Sequence, residues 1–188
     1  MDVVEAIHQR HSVRAFTSER VGREVIERLM SAAAAAPSAQ NSQPWHFHIA
    51  VGRTRRNVGE IVSLTTVHLS EYIDMLGPEG LKSAEKFYAE LGGAPVVIAV
   101  SVPKSQDDAT RTKEYLSAGA AIENLLLAAL PEGLGACNIT APHWVLDELH
   151  KAFRVPEDRE IASLILVGHP AEPPLAPEHR EDVATILE

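Results

Sequence analysis

Apolar residues recur at helical spacing over residues 2–10, where Val3, Val4 and Ile7, with Ala6, share one face. A second helical pattern runs from Arg23 to Ala36, with Val25, Ile26, Leu29 and Met30 inward, Thr17 or Ser18 as its cap and Pro37 as its stop. Phe47 to Val51 reads as a short strand. Residues 57 to 91 read as mostly helical, interrupted at Gly77-Pro78-Glu79-Gly80. Val96 to Val100 is apolar at every position, which suits a strand buried on both faces. From Tyr115 to Leu130 the pattern is apolar around most of a helix circumference, so this helix is expected at the centre of the molecule. Leu134 to Ile139 reads as a strand. Pro142 opens a helix with Trp144, Val145, Leu149 and Phe153 inward, and Ile161 to Val167 is a last buried strand. Pro170, Pro173, Pro174 and Pro177 make the tail from Gly168 an extended arm. Helices and strands alternate only in part, which predicts a mixed sheet with helices on both faces.

Composition narrows the class. A chain of 188 residues with 45% hydrophobic content can bury one substantial core, and it shows no repeat, linker or compositional break, so a single domain over 1–188 is expected. The formal net charge of −9 argues against nucleic acid and anionic membranes as partners. One cysteine, Cys137, allows neither an internal disulfide nor a cysteine-built zinc site and suits a reducing compartment. With no apolar run of membrane-spanning length and no basic-then-apolar leader, a cytoplasmic location is expected. No His-Glu-x-x-His or comparable cluster joins the histidines, among them His46, His48, His143 and His150, so no metal is expected.

Two motifs carry the chemistry. In Arg10-His11-Ser12-Val13-Arg14-Ala15-Phe16, alternate side chains of an extended segment point the same way, so Arg10, Ser12 and Arg14 can converge on one anion while Val13 and Phe16 pack inward. The same pattern would equally serve as solvated charges beside a buried phenylalanine. Pro37-Ser38-Ala39-Gln40-Asn41-Ser42-Gln43-Pro44-Trp45 offers side-chain amides, hydroxyls and free backbone N–H groups suited to the edge of a heteroaromatic ring. A plain helix-to-strand turn needs fewer polar groups.

Together with Gly133-Leu134-Gly135-Ala136-Cys137 and Val167-Gly168-His169-Pro170, these motifs resemble the FMN-dependent nitroreductase family over nearly the whole chain. The resemblance implies the α+β nitroreductase fold and a homodimer with FMN at the subunit interface, its C-terminal arm (168–188) wrapping the partner. It also implies a variable cover over the flavin at about 65–90, where His68, Tyr72, Met75, Phe87 and Tyr88 are candidates to face an aromatic acceptor. By matched position, Arg10, Ser12 and Arg14, with His11, would hold the phosphate and ribityl end, and Arg180 would reach the phosphate from the arm. Pro37, Ser38, Asn41 and Gln43 would line the ring, and Asn138, Ile139, Thr140 and Ala141 would border it near N5. The implied activity is ping-pong reduction of nitroaromatic, quinone or related acceptors by NADH or NADPH, with the chemistry carried by the flavin rather than by a catalytic side chain. Thr140 and Ala141 stand where well-known nitroreductases carry glutamate and glycine. A hydroxyl there could donate to N5 and ease one-electron steps, or it could simply cap the next helix. That departure leaves open a module that binds or consumes flavin without turning over a nicotinamide.

Overall fold

The computed structural model describes residues 1–172, 180 and 183–187. Its sheet has four strands, β1 (His46–Val51), β2 (Val96–Pro103), β3 (Gly135–Ile139) and β4 (Arg159–Gly168), in the order β1-β2-β4-β3. Every neighbouring pair is antiparallel, which corrects the mixed sheet expected from the sequence; parallel pairing among the described residues is the bridge between Ser12 and Ala136. The reason is topological. β2 and β3 do run the same way, joined by a helix as in a parallel unit, but β4 inserts between them and pairs antiparallel with both.

Side chains alternate across the sheet and define two cores. Val96, Ile98, Val100, Ile165 and Val167 face one layer, formed by α2 (Arg23–Ala34) and α5 (Asp108–Ala129). Val97, Ala99, Leu164 and Leu166 face the other, formed by α3 (Gly52–Ser63) and α6 (Leu146–Phe153). A bulge opposite Val100 and Ser101 leaves Ala162 unpaired and shifts the phase of β4, so Ile161 and Leu164 share a face although three residues apart. The molecule is thus an α+β sandwich with helices on both faces.

The helices follow the sequence patterns with instructive exceptions. Helix α1 (Val3–Gln9) is capped by Asp2, whose side chain accepts from the Glu5 N–H, but it buries only Ala6. Val3, Val4 and Ile7 are 67%, 58% and 51% exposed, an apolar face left uncovered by the described residues. Helix α2 begins at Arg23, as its pattern predicts, but its cap is Gly22 rather than Thr17 or Ser18; the Thr17 hydroxyl instead accepts the Glu19 N–H in a local turn. A 3₁₀ stretch, Leu64–Tyr72, leads into α4 (Ile73–Glu90), which kinks at Gly77 (φ 67°) ahead of Pro78. Helix α5, capped by Asp107, is central as expected, although Leu116 is 71% exposed. No helix among the described residues is long and apolar enough to cross a membrane. The expectations resting on Pro173, Pro174 and Pro177 fall outside the described residues.

Candidate functional site

The N-terminal motif lies against β3. The Val13 N–H donates to the Ala136 carbonyl at 3.1 Å, beside the Ser12–Ala136 bridge, and Val13 and Phe16 are buried. Gly135 permits this approach, since a Cβ there would come within 2.5 Å of Val13 Cγ2. Further along, the Thr17 N–H donates to the His169 carbonyl and the Ala171 N–H to the Ala15 carbonyl, both at 2.9 Å, so the Gly168-His169-Pro170 segment runs beside the same stretch. Three motifs far apart in sequence thereby meet at one sheet edge.

The polar side chains at that edge are unequal. Arg10 Nε pairs with the Glu123 carboxylate of α5 at 2.9 Å, and the His11 ring contacts the Gln9 carbonyl through Nδ1 at 3.0 Å. Arg14 is exposed, and its hydrogen bond among the described residues is a long one, 3.5 Å from Nη1 to the Ser12 carbonyl. The ionisable groups whose titration it influences are the Cys137 thiol and the Tyr88 phenol, both pushed up by burial and so neutral at ordinary pH. No carboxylate within ion-pair reach among the described residues answers the Arg14 charge, which leaves it available to an anion.

The loop after α2 is shaped by backbone as much as by side chains. Gln40, Asn41 and Gln43 all adopt left-handed conformations (φ 55°, 55° and 45°), uncommon for residues with a Cβ and a form of strain that concentrates at ligand-contacting loops. Ser38 Oγ accepts the Gln43 N–H at 2.9 Å, and Gln43 Nε2 donates to Asn41 Oδ1 at 3.1 Å. Pro37, Asn41 and Gln43 are exposed. The Ala39 N–H donates to Ser117 Oγ at 3.3 Å, which ties the loop to α5. Ser117 and the Arg10 partner Glu123 sit on one helix, roughly 9 Å apart along its axis.

At the end of β3, Ser163 Oγ donates to Asn138 Oδ1 and contacts the Ile139 carbonyl, so one end of the Asn138 amide is spent within the sheet. Thr140 is exposed and caps no helix; the next turn is opened by Pro142 and α6 by Val145. Trp144 joins this loop to the cover segment. Its ring stacks on His68 with centroids 5.0 Å apart and planes 7° from parallel, and Tyr72 meets it edge-on at 6.0 Å. Phe87 and Tyr88 pack edge-to-face and are half-buried against the core, whereas Met75 is exposed. Arg180 is exposed.

Long-range positioning residues escaped sequence reasoning. Glu123, Ser117 and Ser163 carry no local signal. Arg159 donates to Ser101 Oγ (2.9 Å) and to the Ser101 (2.7 Å) and Pro44 carbonyls, so it fastens the exit of the 37–44 loop to the sheet. Arg159→Ala is expected to destabilise the fold by about 1.5–3 kcal/mol, since it leaves half-buried acceptors unpaired. Arg159→Lys should recover only part of this, having no planar fork. Urea unfolding of the three proteins checks it.

The family model of the nitroreductase family matches residues 7–169, and the chain belongs to that family, an oxidoreductase group. The chain is 31% identical over 192 residues to an iodotyrosine deiodinase of Haliscomenobacter hydrossis (95% of this chain, 84% of that one). It is 28% identical over 211 residues to a 4-nitrobenzoate reductase of Nocardioides sp. strain LMS-CY (90% and 81%). Its fold matches the crystal structure of an FMN- and NADPH-dependent nitroreductase from sphigopyxis sp. strain HMH with a TM-score of 0.81 at 19% identity, over 100% of this chain and 99% of that one. The fold is therefore the α+β nitroreductase fold.

Proposed function

We propose that this chain is an FMN-dependent oxidoreductase that uses NADH or NADPH to reduce nitroaromatic, quinone or related electrophilic acceptors in a ping-pong cycle. The observation that carries the reading is the meeting of the Arg10–Phe16, Gly133–Pro142 and Gly168–Pro170 motifs along β3, with the Arg14 guanidinium unanswered by any carboxylate among the described residues. The residues present fit a flavin phosphate and ring: a free cation and a hydroxyl at one end, and a strained, exposed amide loop at the other.

Arg14, with Ser12, would hold the phosphate. Arg10 would join by sharing or releasing Glu123, His11 would contribute backbone or ring, and Arg180 would approach from the arm. Pro37, Ser38, Asn41 and Gln43 would orient the ring, and Asn138, Ile139, Thr140 and Ala141 would border it. The flavin, when bound, supplies the electron transfer, from nicotinamide to acceptor in alternation. Trp144, with His68 and Tyr72, would hold the cover in place and keep water from the ring. The relatives named for iodotyrosine and 4-nitrobenzoate support a substituted aromatic acceptor. A homodimer follows in the same reading: the bare face of Val3, Val4 and Ile7 and the exposed Val183, Ile186 and Leu187 of the arm are apolar groups that a second copy would cover.

Purified protein should carry, or take up, an FMN-like visible spectrum that bleaches anaerobically with NADH or NADPH and recovers on addition of a nitroaromatic or quinone. Flavin that binds but stays oxidised would favour a flavin-binding module without nicotinamide turnover, the reading that the departure at Thr140 and Ala141 leaves open. Failure to bind flavin at all would overturn both.

A further inference from the structure

A cavity of about 1010 Å³, open to solvent, lies at the opposite edge of the sheet from β3, beside β1. Its walls bring together two elements far apart in sequence, Arg53 and Arg56 of α3 and Lys151 and Arg154 at the end of α6. Glu60 is the one carboxylate in its lining. None of the four cations lies within 4.0 Å of a carboxylate among the described residues, whereas Arg10, Arg23, Arg28 and Arg111 all do. In a chain of net charge −9, four cations gathered around one hollow with a single carboxylate are a local reversal of the overall charge balance.

Their placement also works against local stability. Arg53 and Arg56 stand at the positive end of α3, whose first turn holds no acidic residue to offset them. Arg154 occupies the left-handed C-cap of α6 (φ 54°), a position that ordinarily favours glycine or asparagine. Choices that oppose the fold's own preferences, made on two elements and directed at one cavity, mark a functional site more than a structural one. We propose that this cavity binds a small phosphate-bearing anion of at least two negative charges, such as a pyrophosphate or nucleoside polyphosphate. Thr54 and Asn57 supply neutral hydrogen-bonding groups in the same lining. The site is separate from the β3 edge, three strand spacings or roughly 14 Å across the sheet.

The test is calorimetric titration of the full-length, flavin-loaded protein with pyrophosphate at low ionic strength, where screening is weakest. Saturable binding at one site per chain is expected, weakened about tenfold or more in Arg53→Gln/Arg56→Gln as charge-assisted contacts are lost. That variant should be as stable as the parent or more so, since two charges opposing the helix are removed. Lys151→Gln/Arg154→Gly should weaken binding likewise, while Lys82→Gln/Lys86→Gln, with the same change in net charge, should leave it intact. No saturable binding, an equal loss in the Lys82/Lys86 variant, or displacement of the flavin spectrum by pyrophosphate would each overturn the proposal. The last would assign the anion to the Arg14 site instead.

Discussion

Arg10→Ala/Arg14→Ala is expected to leave a folded protein that no longer retains flavin. Charge-assisted hydrogen bonds to a phosphate contribute about 1.5–3 kcal/mol each, so loss of the pair should raise the flavin dissociation constant by roughly a hundredfold or more. The fold should barely notice. Arg14 is exposed and makes one long hydrogen bond among the described residues. Arg10 releases a Glu123 side chain that is 47% exposed and can be rehydrated, and exposed ion pairs of this kind contribute about 0–1 kcal/mol. The suitable comparison is Arg28→Ala, which deletes an ion pair of two hydrogen bonds, to Glu132 at 2.7 and 2.6 Å, and removes an arginine that lies outside the Arg10–Phe16 motif. Fluorescence titration with FMN and urea unfolding on the three proteins separate the effects. If the double variant binds flavin like the parent, the N-terminal arginines are solvated surface charges and the phosphate reading fails.

What could be read from the chain and what could not divide along physical lines. Local periodicity placed every strand within a few residues, because a buried strand such as Val96–Val100 must be apolar throughout. Motif order likewise pointed to the Arg10–Phe16 and Gly133–Pro142 stretches. The antiparallel insertion of β4 was not legible, because apolar alternation is the same for either strand direction and the joining helix suggests a parallel neighbour. Nor could the sequence say that the described residues would leave Val3, Val4 and Ile7 uncovered, since an apolar face declares that it needs a partner without naming it. Fine positioning was hidden for a third reason. The contacts Arg10–Glu123, Ala39–Ser117 and Arg159–Pro44 join residues far apart in sequence and involve residue types that are ordinary wherever they occur.

Gly92→Ala should produce the opposite signature to the arginine pair, a loss of stability and of flavin together. Gly92 follows α4 in a run of left-handed residues with Leu91 and Gly93, at φ 60°. It lies directly beneath the Arg10–Phe16 segment, its carbonyl accepting the Phe16 N–H at 2.9 Å. A Cβ built on it would stand 2.1 Å from the Arg14 carbonyl oxygen and 2.9 Å from the Arg14 carbonyl carbon. Those are backbone atoms, so no rotamer change relieves the clash and the segment itself must move. The left-handed conformation and the overpacking together cost about 2–5 kcal/mol. Displacing the Arg14 backbone would also disturb the parallel bridge of Ser12 with Ala136 and the burial of Phe16. Gly135→Ala is the milder companion, because its contacts are with the Val13 side chain (Cγ2 at 2.5 Å, Cβ at 2.7 Å) rather than with a backbone carbonyl, and it carries no left-handed φ, although the Val13 Cβ can move only with its backbone. Urea midpoints should therefore fall in the order parent, Gly135→Ala, Gly92→Ala, and flavin affinity should fall with them. A folded Gly92→Ala protein that kept parental flavin affinity would show that the position of Arg14 does not govern binding, and would move the phosphate site elsewhere on the chain.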